Sequence, residues 1–402
     1  MKKGTIGICS LILAILAIVG IKTIYFSQEK GMIESNSESH LTYENILNLE
    51  NKDSNTSITQ NEETISGIFN AYEQKANQKL QTMTLDEKIS QLFLVRFPNS
   101  NAKVILKQYQ FGGYIFFAKD FKDKTKQQVI DTMKELQKVA NIPILTAVDE
   151  EGGIVVRVSS NSNLAKSKFK SPMELYQLGG FEQIEKDTIE KSKLLNSLGI
   201  NLNLAPVVDV STNSNDYMYQ RTLGQGTKLT STYAKTVISS NKGHKVSYTL
   251  KHFPGYGNNI DTHTGTAIDK RSYQDIVNND LPPFKAGIEA GAEAVLISHN
   301  IVTSIDKNNP ASLSKKVHNL LRDDLNFTGI IMTDDLDMEA VAKDDDAVIK
   351  AIQAGNDLII TTDYKASISS VKQAVKSGKI SEKTIDQAVG RILAWKYDKG
   401  MM

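Results

Sequence analysis

Cysteine is almost absent from this 402-residue chain. The single one, Cys9, excludes an intramolecular disulfide and a cysteine-built metal site. A charge excess of either sign is also missing. Lys and Arg number 47 against 46 Asp and Glu, a net charge of +1. That balance offers no basic field for nucleic acid and no acidic tail. Without disulfides, a folded domain must rely on its core, and a chain of this length can bury enough surface to do so.

What is present falls into three parts. Residues 4–21 form an uncharged run, preceded by Lys2 and Lys3 and closed by Lys22. Its length is close to what a bilayer span requires. No small-x-small cleavage site follows Ile21, so residues 1–27 read as an uncleaved membrane anchor with its lysine end inside, a cleaved signal sequence being the alternative. Cys9 lies within the run, which argues against a lipoprotein site. Either reading puts the bulk of the chain outside the cytoplasm. Residues 28–66 are rich in Asn, Ser, Thr and Glu and read as a polar tether, too poor in apolar surface to order itself. A folded domain is expected over 67–402.

Within that domain eight apolar runs recur: QLFLVRF (91–97), GYIFFA (113–118), IPILTAVD (142–149), INLNLAPVVD (200–209), VSYTLKHF (246–253), AEAVLIS (292–298), GIIMTDD (329–335) and DLIITT (357–362). Near-continuous apolar character is what parallel strands buried on both faces need. Helix-like segments alternate with them, and Thr84-Leu85-Asp86-Glu87 carries a capping-box signal. The pattern predicts an α/β fold, a single (β/α)8 TIM-like barrel, with an open doubly wound sheet as the alternative. Polar residues gather where the runs end: Asp149, Asp209, Lys251 with His252, His299, and Asp334 with Asp335. In a barrel these ends share one face, where active sites sit.

Three segments carry chemistry. KHFPGYGNNIDTH (251–263) must be a loop after the fifth strand, given Pro254, Gly255 and Gly257. In it Asp261 stands two residues before His263, spacing that lets a carboxylate orient an imidazole as an acid/base, or simply places both in water. Asp334 at a barrel mouth suits a nucleophile or a metal ligand, although Asp337 and Glu339 are expected to begin a helix rather than to coordinate. Asp149-Glu150-Glu151-Gly152-Gly153 suits close backbone approach to a ligand, with Asp149 accepting from sugar hydroxyls, or a tight turn with solvated acids. One carboxylate and one acid/base are the minimum for a retaining glycosidase.

Jointly and in order, MTLDEKISQLF, DEEGG, NLAPVVDV, QRTLG, KHFPGYG with DTH, PPFKAGIEAGAEAVLISH, PASLS and TGIIMTDDLDM resemble glycoside hydrolase family 3, its β-N-acetylglucosaminidase branch, from about residue 83 to 396. The resemblance implies a TIM-like barrel and retaining hydrolysis of terminal β-linked N-acetylglucosamine in peptidoglycan-type glycans. Asp334 matches the nucleophile, His263 the acid/base and Asp261 its dyad partner. Asp149, Arg221, Lys251 and His252 match residues that hold the sugar, and His299 sits near the site. No cofactor, metal or nucleic acid is implied; the expected partners are a carbohydrate substrate and, through the N-terminal helix, a membrane. This chain departs from the family in three places. Tyr256 replaces the histidine of Gly-His-Gly, the spacer before Asp261 is one residue shorter, and Ile154 replaces an arginine, with Arg157 nearby. A β-glucosidase or glycoside phosphorylase, or an anchored sugar-binding protein without catalysis, are the competing functions.

Overall fold

The computed structural model describes residues 67–262 and 265–402. The anchor expected at 1–27, the tether at 28–66 and the acid/base expected at His263 lie outside the described residues. Among the described residues no helix is long and apolar enough to cross a membrane.

The described residues form ten strands in chain order: β1 (Phe93–Arg96), β2 (Gly113–Phe116), β3 (Leu145–Val148), β4 (Leu202–Asn203), β5 (Ser247–Phe253), β6 (Ile268–Asp269), β7 (Ala294–Ile297), β8 (Ile301–Val302), β9 (Ile330–Asp335) and β10 (Leu358–Thr361). Eight of them close a parallel barrel in the order β1-β10-β9-β7-β5-β4-β3-β2. Each of the eight apolar runs supplies one barrel strand. Closure rests on β1, which pairs with β2 on one side and β10 on the other, and this eliminates the open sheet. The remaining strands, β6 and β8, pair in a short parallel ribbon outside the barrel, which two-residue strands do not announce in a sequence.

Both faces of the barrel wall are covered, so its strands carry apolar residues almost without interruption. The helix Lys126–Val139 shows how the outer layer is built. Thr125 accepts from the Gln128 N–H, the Gln128 side chain returns the bond to the Thr125 N–H, and Val129, Met133 and Leu136 turn one stripe inward. Glycine is required where β2 starts. A Cβ on Gly113 would lie 2.4 Å from the Leu145 carbonyl of neighbouring β3.

Two expectations need correction. The run 200–209 was expected to be a full strand, yet only Leu202–Asn203 is regular. Pro206 has no N–H for the ladder, and beyond it a single bridge from Val207 to Lys251 maintains the pairing with β5. Asp337 and Glu339 do not begin a helix; the next one spans Ala347–Ala354. The Asp337 N–H instead donates to Asp335 Oδ1 at 3.1 Å, an Asx-type turn that competes with helix initiation.

The C-terminal helix Glu382–Asp398 seals the end of the barrel opposite the strand C-termini. Trp395 is fully buried, its Nε1–H shared between Ser247 Oγ and Glu293 Oε2, each at 3.0 Å. Beside it the buried Lys396 ammonium donates to Gln91 Oε1 (2.8 Å) and the Gly112 carbonyl (3.2 Å). Burial pushes this lysine down to about 7, against 10.5 ordinarily. Between those values the unfolded chain binds the extra proton, so folding gains as pH rises from about 7 towards 10.5. Urea midpoints should therefore improve with pH in the wild type relative to Lys396→Met across this window. A difference between the two proteins that is flat with pH would contradict the assignment.

Candidate active site

The C-terminal ends of the barrel strands carry a cluster of charges that begins after β3. Glu150 is fully buried and faces its own loop. It accepts the N–H groups of Arg157 and Val158 (both 2.7 Å) and Ser159 (3.2 Å), together with the Ser159 hydroxyl. The Asn203 side chain on β4 reads both main-chain groups of Glu150, at 2.9 and 3.2 Å. The loop 150–159 therefore folds back on itself. This return brings the Arg157 guanidinium to 3.6 Å from Asp149 Oδ2. Ile154, at the position of the family's arginine, points outward and is 63% exposed. Gly152 makes the return possible, with φ +108° and a Cβ position 2.1 Å from the Lys170 carbonyl.

Glu151 points the other way, into the barrel mouth. Its carboxylate takes two bonds from Arg221 (Nε 2.9 Å, Nη2 2.7 Å) and one ion pair from Lys251 Nζ (2.7 Å). Lys251 also reaches Asp149 Oδ1 at 2.8 Å. Burial works against ionising Glu151, but the two cations outweigh it and hold the carboxyl well below its ordinary range. For Lys251 burial favours the neutral amine, and Asp149 with Glu151 outweigh that and raise it. Glu151, Arg221 and Lys251 thus hold one another in their charged forms.

His252 extends the network. Its Nδ1 lies 2.8 Å from Asp209 Oδ2 and its Nε2 lies 3.3 Å from Arg221 Nη2. Arginine can only donate, so Nε2 accepts and the ring proton sits on Nδ1 facing Asp209. At the end of β9, Asp334 and Asp335 are adjacent but unlike. Burial alone would raise Asp334. His299, His252, the Asp335 N–H at 2.9 Å and Lys251 overcome this and keep its carboxyl below the usual range. Asp335 is pushed up to about 7 by burial, with Asp337 and Asp334 adding to it. His299, fully buried, has Nδ1 at 2.7 Å from Ser312 Oγ and Nε2 at 3.0 Å from the Asp335 carbonyl. It thus props the backbone that presents Asp334.

Across the mouth runs the loop after β5. The buried Tyr256 hydroxyl meets the Ile260 carbonyl (3.1 Å), the Thr262 N–H (2.9 Å) and Thr262 Oγ1 (3.0 Å). Tyr217, from the connection after β4, lies near Asp261 and Arg221: burial and then Asp261 push its phenol up, while Arg221 works the other way. Asp261 therefore stands beside the Glu151–Arg221 cluster, while His263 lies outside the described residues.

The structure brings Asp149, Arg221, Lys251, His252 and Asp334 to one mouth, with His299 directly behind. Sequence reading did not select Glu151, Arg157, Asp209 or Tyr217 for the site. Asp209 was noted as a strand-end acid, and Glu151 was visible in the Asp-Glu-Glu run without a means of separating its role from that of Glu150. Among the described residues no group of His, Cys, Asp and Glu is arranged to hold a metal ion. Removing one partner of a buried ion pair costs about 3–5 kcal/mol, because the other charge stays buried. Glu151→Gln should thus lower the urea-unfolding free energy by roughly that amount. An unchanged midpoint would mean that the cluster does not hold the mouth together.

Residues 84–395 match the Glycosyl hydrolase family 3 N terminal domain. A beta-hexosaminidase of Stenotrophomonas maltophilia strain K279a is 29% identical over 231 residues, 55% of this chain and 66% of that protein, just under two thirds of its length. A glycoside hydrolase family 3 beta-N-acetylglucosaminidase from Paenibacillus sp. str. FPU-7 has a similar structure, with a TM-score of 0.75 and 30% identity over 79% of this chain and 63% of that one. A glycosyl hydrolase of the same family from Mycobacterium smegmatis str. MC2 155 gives a TM-score of 0.70 and 27% identity over 79% of this chain and 98% of that one. With a matched segment that takes in every barrel strand and the whole charged mouth, the chain belongs to glycosyl hydrolase family 3.

Proposed function

We propose that this protein is a retaining β-N-acetylglucosaminidase that removes terminal β-linked N-acetylglucosamine from peptidoglycan-type glycans. One observation carries the reading above the others. Asp334 is kept ionised at the end of β9 by Lys251, His252 and His299, while its neighbour Asp335 is pushed up to about 7. A nucleophilic carboxylate must be charged, and Asp334 sits at the barrel mouth with its carboxyl held below the usual range. The names carried by the hexosaminidase and acetylglucosaminidase relatives support the substrate class.

The chemistry follows from the roles. Asp334 attacks the anomeric carbon, the glycosidic bond breaks, and a covalent glycosyl ester forms. His263 gives its proton to the leaving oxygen, then takes one from the water that cleaves the ester. Asp261 orients the imidazole and stabilises its charged form. Asp149 offers acceptor oxygens to sugar hydroxyls, and Arg157, Arg221 and Lys251 offer donors. Because Glu151 and Asp149 already balance Arg221 and Lys251, binding a neutral sugar leaves no uncompensated charge. Residues 1–27 anchor the protein in the membrane, and the barrel domain from residue 67 works outside the cytoplasm.

An aryl N-acetyl-β-glucosaminide should be turned over by the wild type, and Asp334→Asn should nearly abolish that turnover while the protein still folds. Substantial residual activity would remove Asp334 from its role. His263→Ala should slow the natural disaccharide by roughly 10²–10⁴-fold. A very acidic phenol needs little help in leaving, so the activated aryl substrate should instead show a burst and then slow deglycosylation. Equal rates for variant and wild type on both substrates would place the acid/base elsewhere. For the anchor, full-length protein should require detergent for extraction, whereas a mature N-terminus mapped just after residue 21 would show cleavage.

A further inference from the structure

Tyr256 is 3% exposed, and its two ends serve different parts of the mouth. At the backbone end its N–H donates to Asp209 Oδ1 at 2.7 Å, the same carboxylate whose other oxygen meets His252 Nδ1 at 2.8 Å. Its carbonyl accepts from the Asn259 (2.9 Å) and Asn300 (3.1 Å) side chains. The ring packs with Val207 and Met218 and lies edge-on to His252 at 5.6 Å. The main chain and ring of Tyr256 are thus fixed to the sugar-side network.

The hydroxyl end is saturated by the residues just before His263. A phenol has one proton to give and two lone pairs to receive with. It donates to the Ile260 carbonyl at 3.1 Å, which leaves it to accept from the Thr262 N–H at 2.9 Å and the Thr262 hydroxyl at 3.0 Å. Burial pushes the phenol up to about 12, so the proton is retained at any working pH. Thr262 is itself buried, and its carbonyl accepts the Ala340 N–H at 3.3 Å, from the connection that follows Asp334 on β9. Ile260, in contrast, is 59% exposed, so the segment gains little from apolar burial on that side. Its position depends on these polar contacts.

We propose that Tyr256 is a positioning residue: its side chain is a strut of fixed length that sets the acid/base loop at the correct height over the sugar-side network. This rests on the reading of Asp261 and His263 as the acid/base dyad. The strut touches no reacting atom. Its effect is felt where proton transfer limits the rate, because misplacing an acid slows a poor leaving group far more than a good one. It also explains how a shorter spacer before Asp261 is accommodated: the tyrosine hydroxyl fastens Thr262 directly.

Tyr256→Phe keeps the ring and removes only the hydroxyl. Amide hydrogen exchange over residues 258–262 should quicken by about tenfold, since the Thr262 N–H loses its acceptor. On the natural disaccharide kcat should fall by about tenfold or more with KM nearly unchanged, while the burst rate on an activated aryl substrate should change by less than about threefold. Adding Thr262→Val to Tyr256→Phe should cost less than it does in the wild type, because the shared contact is already gone. Unchanged exchange would overturn the proposal, as would equal losses on both substrates or a loss confined to KM. A wild type that cleaves neither substrate would instead defeat the functional reading, and the exchange measurement would still decide whether the hydroxyl holds the loop.

Discussion

The Glu151 carboxylate is 4% exposed and bears a full charge, which a protein interior tolerates only when partners surround it. Arg221 and Lys251 supply them, and in doing so tie together the end of β3, the connection after β4 and the body of β5. Barrel closure fixes where the strands end. This cluster fixes how the loops beyond them are held. Glu150, one residue earlier, spends its charge on backbone N–H groups and folds the return that carries Arg157 towards Asp149. Two adjacent glutamates thus divide the work, Glu150 turned into its own loop and Glu151 into the mouth.

From that cluster a chain of contacts spreads across the mouth. Arg221 orients His252, Asp209 holds the other side of the ring, and Tyr256 continues from Asp209 to the loop bearing Asp261. On the opposite wall His299 supports the backbone at Asp335, beside the carboxyl that must stay ionised. Burial pushes both aspartates at the end of β9 up; for Asp334 His299, His252, the Asp335 N–H and Lys251 overcome it, while for Asp335 the neighbouring acids add to it. A separation of this kind between neighbouring carboxyls is how one site keeps an anion and a proton side by side at neutral pH.

Much of the barrel was legible in the residues. Eight apolar runs became eight barrel strands, because burial on both faces leaves no alternation to obscure them. The strand-end acids and bases were legible for a related reason: a polar group at the end of such a run has few places to be other than the mouth. Less regular features escaped. Pro206, which lacks an N–H, cut β4 to two residues, and the Asp337 N–H, drawn into a turn with Asp335, replaced an expected helix; in each case one backbone position decided locally what a wider pattern suggested otherwise. Arg157 and Tyr217 were not selected because their place in the site depends on how long loops return, and that is set by contacts between residues distant in sequence, Asn203 with Glu150 among them.

Retaining hydrolysis requires that Asp334 become covalently attached to the sugar. His263→Ala, which should form the glycosyl ester and hydrolyse it slowly, can be mixed with an activated aryl N-acetyl-β-glucosaminide, quenched in acid and digested for mass spectrometry. The account predicts an N-acetylhexosamine mass on the peptide that contains Asp334, with fragmentation assigning it to that residue. A stable label on Asp335, Asp149 or any other carboxylate, or phenol release with no labelled peptide at any time, would contradict it.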